Sequence, residues 1–514
     1  MKADNTKVLI IMDGFGKPLD PSRSAITRQN TTYLQYLEKN YPNGLLQASG
    51  ESVGLPNGQT GTSDVGHLTI GSGRVIYQPL VRINKEIENQ EFFKNKALLQ
   101  AINNAKQNNK AIHLLGIPTD GGVHGHINHL FALLDMCAMH GLKKVYIHYF
   151  TDGRDTPPKS AIKYLKQIQS KIKQVKVGEI VNVVGRFYAL DRDNNWDRVE
   201  KAYNLMVNGV GEQCSNLQKG IEQAYNNGQT DEFINPLIKV DKQGNKVTIQ
   251  PNDSVIIYNY RADRERQLSY VLSDSNNLPY TKKLGLTLVC MTEYDESQKD
   301  VLVAYPNIEH KNILSQVLSK KGYSQYKVAE TEKYAYITFS FNAGKNDAFD
   351  KERRDLVVSE KMKLYSAKPE MSAYTIAQWA EKAILSKKYD CVIINFANCD
   401  MVGHSGDKEA AKIAVKVVDE CVKQVTNATL KVGGEVIITA DHGNADIMQY
   451  EDGSAHTAHT TNLVPVFIVG ERFFGKKFKI SGTLADIAPT FLKLLGERKP
   501  KDMTGKPLYW YWQL

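Results

Sequence analysis

Short apolar runs rich in Val and Ile recur along the chain, separated by longer stretches in which apolar residues return every three or four positions. Runs of the first kind predict strands buried on both faces, and the second kind predicts amphipathic helices. Strands are expected at Val8–Met12, Ala111–Leu115, Val145–Phe150, Ile180–Val184, Val255–Tyr258, Cys391–Asn395, Val436–Thr439 and Val466–Val469. Helices are expected over Ile127–His140, Tyr374–Ser386 and Glu409–Lys431. This alternation predicts an α/β fold of parallel strands joined by helices. Neither an internal repeat nor a low-complexity segment interrupts it.

The residues that follow the strands carry the chemical signal, because ligands of open α/β sheets bind beyond the carboxyl ends of the strands. Val8–Met12 runs into Asp13, Cys391–Asn395 leads to Asp400 and His404, and Val436–Thr439 leads to Asp441 and His442. These are metal-type ligands. The strands of the middle of the chain lead instead to His124, to Arg154 and Asp155, to Arg186, and to Arg261 and Arg264, groups suited to an oxyanion. The metal-type set lies near the N-terminus and in the last quarter, with the arginine set between. A first domain interrupted by a second explains this order, whereas a plain tandem would strand Asp13 far from His459. The expected boundaries are 1–76 with 311–514 for the metal domain and 77–310 for the insertion, with hinges in Val75–Val81 and Val303–Asn312.

A length of 514 residues agrees with more than one core. Hydrophobic content of 42% and charged content of 24% are those of a soluble globular protein. The net charge of +9 suits an anionic substrate, although most lysines are scattered singly as on any solvated surface. No basic run is interleaved with aromatics, which argues against nucleic acid as a partner. The six cysteines form no CxxC pair and no framework spacing, so reduced thiols in the cytoplasm are expected. Val8–Met12 is too short for a signal-peptide core, and no run approaches a membrane span.

Asp400-x-x-x-His404, Asp441-His442 and His456-x-x-His459 offer mixed carboxylate and imidazole ligands, which suit Mn²⁺ or Zn²⁺ better than Mg²⁺. With Asp13 they suffice for two ions. Paired ions activate a hydroxyl and clamp a transferring phosphoryl group, and the segment Gly58-Gln59-Thr60-Gly61-Thr62-Ser63-Asp64-Val65-Gly66-His67 offers one. Ser63 would stand where a Gly-rich turn meets a helix, its backbone N–H groups facing a forming phosphate. The competing reading makes Ser63 a helix cap, with Asp64 favouring the same helix end. Thr60 and Thr62 are rival nucleophiles.

These residues also carry a resemblance. VLIIMDGFG, QTGTSDVGHLTIGSGRVIYQ, TDGGVHGHINHLFALLD, DGRDTPPKSA, VVGRFYALDRDNNWDRVEKAY, YNYRADRERQL, AETEKY, KPEMSAY, NFANCDMVGHSG, TADHGNAD and HTAHTTN resemble, in order and over essentially the whole chain, the motifs of cofactor-independent phosphoglycerate mutases. The resemblance implies an alkaline-phosphatase-like metal domain interrupted by a second α/β substrate-binding domain. It also implies two Mn²⁺ ions, replaceable by other divalent metals, and no requirement for 2,3-bisphosphoglycerate. One ion would be held by Asp400, His404 and His459, the other by Asp13, Ser63, Asp441 and His442. His456 and His67 would support the ligands without joining them. Substrate contacts would come from His124, Arg154, Asp155, Arg186, Arg192, Arg261, Arg264 and Lys333.

The activity implied is interconversion of 2- and 3-phosphoglycerate through a phosphoserine on Ser63, in a cytoplasmic monomer without nucleic-acid or membrane partners. Lys333 would offset charge on the transferring group, and Asp155 would exchange protons with the glycerate hydroxyls. The insertion would close over the metals and exclude water. The chain departs from the family pattern at Thr60, Thr62 and Asp64, where Met, Asn and Glu are common, at Gly125 in place of Ser, and at Tyr336 in place of His. A metallophosphatase or phosphopentomutase would lack the DGRD and RADR clusters. An idle binding protein would have lost a ligand or the nucleophile.

Overall fold

The computed structural model describes residues 5–509. The chain divides into two compact units, one built from the residues up to Gln78 and from Glu309 onward, the other from Pro79–Ile308. Each has its own eight-stranded sheet. Among the described residues no helix is long and apolar enough to cross a membrane.

In the first unit the sheet runs, edge to edge, through Glu352–Val357, Gln325–Glu330, Cys391–Phe396, Lys7–Met12, Glu435–Thr439, Val464–Val469, Asn43–Gln47 and Lys479–Thr483. The three central strands are buried along their whole length, the pattern expected where helices cover both faces. They are parallel and in register, with Met12 opposite Phe396 and Ile11 opposite Thr439. Their carboxyl ends therefore stop at one level, and Asp13, Asp400 and Asp441 follow from it. The helix Lys408–Lys431 closes one face with a buried stripe that includes Ala411, Val415, Val418, Val422 and Val425. Asp407 starts it, its carboxylate accepting the Ala410 N–H.

In the second unit the order is Leu302–Tyr305, Thr287–Thr292, Ser254–Ile257, Ile112–Gly116, Val145–Thr151, Glu179–Gly185, Leu237–Lys239 and Glu212–Cys214. The strands ending at Ile257, Gly116, Thr151 and Gly185 are parallel neighbours, so the loops beyond them emerge side by side.

All eight expected strands and all three expected helices form, with ends displaced by one or two residues. The expectation of parallel strands fails at one of them. Val464–Val469 runs antiparallel to Glu435–Thr439. A parallel return needs a long crossover, usually helical, and residues 440–463 form no helix, being spent on ligand-bearing loops. Eight further strands had no clear alternation to announce them.

Candidate metal centre and anion site

In the first unit Ser63 opens the helix Ser63–Ser72, and the N-cap is Thr62, whose hydroxyl accepts the Val65 N–H. The capping role considered for Ser63 thus belongs to its neighbour, and the Ser63 hydroxyl is free for other partners. Its Oγ lies 2.7 Å from Lys333 Nζ, 3.0 Å from His442 Nε2 and 3.2 Å from Asp13 Oδ1. Lys333 also reaches Asp400 Oδ2 at 2.6 Å and Asp13 Oδ1 at 2.8 Å. A cleft of about 360 Å³ includes Ser63, Lys333, Tyr336, Asp400, His404 and His459 in its lining.

The imidazoles are oriented by their remote nitrogens. His404 Nδ1 faces the Thr457 carbonyl at 2.7 Å, and His459 Nδ1 faces that of Gly61 at 2.8 Å. A carbonyl only accepts, so each Nδ1 carries a proton and Nε2 is the nitrogen left for a metal. Those two Nε2 atoms lie 3.0 Å apart and 3.1–3.2 Å from Asp400 Oδ1. Three ligand-type atoms converging this closely are an arrangement that a cation would hold together. Asp13 and Asp441, both fully buried, stand beside His442 Nε2 at 3.6 and 3.5 Å. The donor set therefore fits the divalent ions that the sequence implies, with oxygen and nitrogen ligands mixed.

Electrostatics point the same way. Burial, reinforced by neighbouring Asp441, pushes the Asp13 carboxyl up despite Lys333. Burial also opposes ionisation of Asp400, but Lys333 and hydrogen bonds from His404 and His459 hold it well below the usual carboxylate range. Lys333 is raised, since Asp13 and Asp400 outweigh the cost of its burial. Gly14 makes the crowding possible: its φ is +74°, and a Cβ there would stand 2.6 Å from the Asp400 backbone.

His67 also lies within ligand range of Asp13 and Asp441. Both its nitrogens are engaged, Nδ1 with the Ser63 carbonyl at 2.8 Å and Asp441 Oδ2 at 3.2 Å, Nε2 with the Asn395 amide at 3.0 Å. It orients Asp441. Asn395 donates from the same amide to Asp13 Oδ2 at 2.8 Å, and Asn444 donates to Asp400 Oδ1 at 2.9 Å. Sequence reading missed both asparagines. Asn395 left one sign, a polar residue inside an otherwise apolar strand. His456 packs its ring against Tyr450. Two departures from the family pattern lie beside the nucleophile: Asp64 accepts a hydrogen bond from Ser340 at 2.5 Å, and the Tyr336 ring lies 5.3 Å from Lys333 Nζ.

The second unit gathers the arginine set at the aligned strand ends. Arg186, nearly buried, donates to Asp152 at 2.7 Å, Asp155 at 2.5 Å and His124 Nε2 at 2.7 Å. His124 is pushed down to about 3, first by burial and then by Arg186, against the pull of Asp155. It is therefore neutral at pH 7, with its proton on a buried Nδ1 that has no protein partner. Arg192 and Arg261 share the Asp263 carboxylate at 2.9 and 2.8 Å. Arg264 donates to the Leu190 carbonyl at 3.1 Å and is lowered, by burial first and then by Arg192, Arg186 and Arg154. Arg154 is the most exposed, 3.7 Å from Glu232. Like charges held this close, with one orphaned donor beside them, make a candidate site for an anion. Asp152 and Asp263, which hold the arginines in place, also escaped the sequence reading. Their signal was a carboxylate within two residues of each arginine motif.

Comparison with known proteins agrees with both halves. Residues 83–296 match the family model described as the BPG-independent PGAM N-terminus. The 2,3-bisphosphoglycerate-independent phosphoglycerate mutase of Clostridium novyi is 46% identical over 505 residues, 98% of this chain and 99% of that protein. Its counterpart from Acetivibrio thermocellus is 44% identical over 510 residues, with the same coverage. Among solved structures, a Leishmania mexicana phosphoglycerate mutase determined at low cobalt concentration covers 99% of both chains at 26% identity, with a TM-score of 0.55. At such identity over nearly the full length of both partners, the chain belongs to the family of 2,3-bisphosphoglycerate-independent phosphoglycerate mutases.

Proposed function

We propose that the protein interconverts 2- and 3-phosphoglycerate through a phosphoserine on Ser63, with two Mn²⁺ ions and without 2,3-bisphosphoglycerate. The observation that carries this reading is the Ser63 hydroxyl, 2.7 Å from a buried ammonium and 3.0 Å from an imidazole nitrogen at a helix start. Asp400, His404 and His459 would hold one ion, and Asp13, Ser63, Asp441 and His442 the other. When bound, the ions supply Lewis acidity that favours the serine alkoxide and spreads phosphoryl charge.

The chain's own groups do the rest. Ser63 Oγ attacks phosphorus, and the ester bond to glycerate breaks. Lys333 offsets charge on the equatorial oxygens. Asp155 gives a proton to the departing glycerate oxygen and takes one from whichever hydroxyl next attacks the phosphoserine. Arg154, Arg186, Arg192, Arg261 and Arg264 hold the glycerate while it reorients, with His124 donating from Nδ1. The protein would act as a cytoplasmic monomer, with both residue sets supplied by one polypeptide and its cysteines reduced. The direct test is conversion of 3-phosphoglycerate by the purified protein, coupled to enolase, with no bisphosphoglycerate added. No conversion with Mn²⁺ present would overturn the assignment.

Acid should silence the enzyme. With only protein groups around it, His404 is raised above the ordinary imidazole value, chiefly by its hydrogen bond to Asp400. Burial lowers His459, but its contacts with Asp400 outweigh that and raise it. Protonation occupies the Nε2 lone pairs that a metal needs, so metal affinity is lost as pH falls through these raised values. Activity should fall steeply below about pH 6.5, and more Mn²⁺ should shift the falling limb to lower pH. A flat profile down to about pH 5 would contradict imidazole ligation.

The two acidic and basic halves of the anion site should fail differently. Arg261→Ala removes a guanidinium that grips the glycerate, so mutase activity should drop about 10- to 100-fold and phosphate should leak to water. Asp155→Asn should slow transfer with less leakage, because it removes proton exchange and leaves the grip. Following labelled phosphate and labelled glycerate separately distinguishes them. Equal leakage from both variants would remove Asp155 from its acid–base role.

A further inference from the structure

Glu265 breaks the pattern of its own helix. In Ala262–Leu272 it shares the inward face with Leu268 and Leu272, a position where an apolar side chain is expected. Its carboxyl is completely buried, yet it has a single hydrogen-bond partner: Asn259 Nδ2 donates to Oε1 at 2.6 Å, and Oε2 has none. Burial in this setting pushes the group up to about 8, so at pH 7 it is an uncharged acid. A buried carboxyl with so few partners is a cost to the fold, which invites the question of what it holds.

Asn259 answers it. Its Oδ1 accepts the backbone N–H of Ile117 at 2.9 Å. That amide can only donate, so the orientation of the side chain is determined and Nδ2 must face Glu265. Asn259 thereby joins two segments of the anion site. Ile117 begins the loop that leads to His124, and Glu265 lies one residue beyond Arg264 in the turn that carries Arg261 and Arg264. The backbone repeats the connection next door, where Tyr260 N–H donates to the His124 carbonyl at 2.7 Å. The Asn259–Glu265 bond closes the Arg261–Arg264 turn like a latch, with the charged neighbours Arg186, Asp263 and Arg264 acting on the carboxyl.

Gly125 belongs to the same device. The resemblance leads one to expect Ser there, but a Cβ at this position would stand 2.3 Å from Asn259 Oδ1 and 2.6 Å from the Ile117 carbonyl. The missing side chain leaves the space that Asn259 occupies. Two local oddities, a glycine beside His124 and a glutamate at a core position, thus have one cause.

We propose that Glu265, acting through Asn259, is a positioning residue that sets the Arg261–Arg264 turn against the His124 loop for binding of the phosphoglycerate anion. The inference rests on the proposed role of the arginine set in substrate binding, and its test includes Arg261→Ala so that the two can fail separately. Glu265→Ala and Asn259→Ala should each raise KM for 3-phosphoglycerate about tenfold and change kcat less than about threefold, the response to a displaced binding group. Because each breaks the same bond, the double variant should be no worse than the worse single one. Glu265→Gln keeps the acceptor and the neutral charge, so it should restore KM to within about twofold of wild type; a side chain that merely filled space would not need an acceptor there.

Melting curves for each variant identify any that fails to fold, and Asn259→Ala with Glu265→Gln then carries the test alone. Unchanged KM in Glu265→Ala and Asn259→Ala, or independent effects that multiply in the double variant, would overturn the inference. If Arg261→Ala raises KM while those two do not, only the latch is wrong. If Arg261→Ala also leaves KM unchanged, the substrate reading of the arginine set is what fails.

Discussion

Ser63→Ala should lose roughly 10⁴- to 10⁶-fold of mutase activity, the scale seen when an enzyme's nucleophile is removed, while keeping its fold. The loss follows from chemistry that no neighbour replaces. Thr62 is the hydroxyl next in sequence, but it is engaged as the helix cap. Thr60 lies on the turn before it, with no side-chain hydrogen bond to Lys333 or His442 among those of the described residues. Stability should change little, because only a single hydroxyl group is removed and Lys333 retains Asp13 and Asp400. A cost of about 1 kcal/mol, or a few degrees in Tm, is the expected size. The coupled assay measures the first quantity and calorimetry the second. A variant with wild-type turnover would move the nucleophile to Thr62 or Thr60, and acid-stable labelling of the wild-type serine by substrate phosphate would hold it at Ser63.

Exhaustive chelation should bring activity below about 1% of the starting value, since metal-assisted transfer supplies several kcal/mol of barrier lowering; Mn²⁺ should restore it. Charge makes the dependence strict. Asp13, Asp400 and Asp441 are gathered in a buried site where, among the described residues, Lys333 is the lysine or arginine that reaches them, bonding Asp13 and Asp400. When the imidazoles are neutral, as ligation requires, three carboxyl groups against one ammonium leave a surplus of negative charge that divalent ions would neutralise. Stripping the ions should therefore lower Tm as well as activity, and Mn²⁺ titration should raise Tm in step with its binding. This second readout does not depend on turnover. Full activity in metal-free protein, or a Tm indifferent to Mn²⁺, would contradict the two-ion reading.

Much of this was legible in the residues themselves because parallel α/β sheets make simple sequences. A strand buried on both faces must be continuously apolar, so Val8–Met12, Cys391–Asn395 and Val436–Thr439 stood out, and chemistry at such strand ends could be anticipated. The candidate ligands Asp13, Asp400, His404, Asp441 and His442 were read in this way, as were His124 and most of the arginines, and His459 was read from its spacing to His456. Gln325–Glu330 was not legible as a strand. It buries Gln325, Lys327 and Glu330, and Lys327 is tolerated only because Glu352 and Asn342, distant in sequence, lie 3.0 and 2.8 Å away. Local pattern carries no record of such a partner.

The same limit separates what the chain declares from what the tertiary structure decides. Residue types and their placement after strands determined the fold class and the candidate ligands, since those depend on periodicity and local chemistry, while the family was expected from the resemblance of the motifs. Which hydroxyl is free was decided only in three dimensions, where Thr62 takes the cap and leaves Ser63 to Lys333 and His442. The protonation of His404 and His459 was decided by the carbonyls of Thr457 and Gly61. The supports of the site, Asn395, Asn444, Asp152, Asp263 and the Asn259–Glu265 bond, became visible only with distances. Their function is geometric, to hold another group's position, and a hydrogen bond between segments far apart in the chain leaves no periodic trace along it.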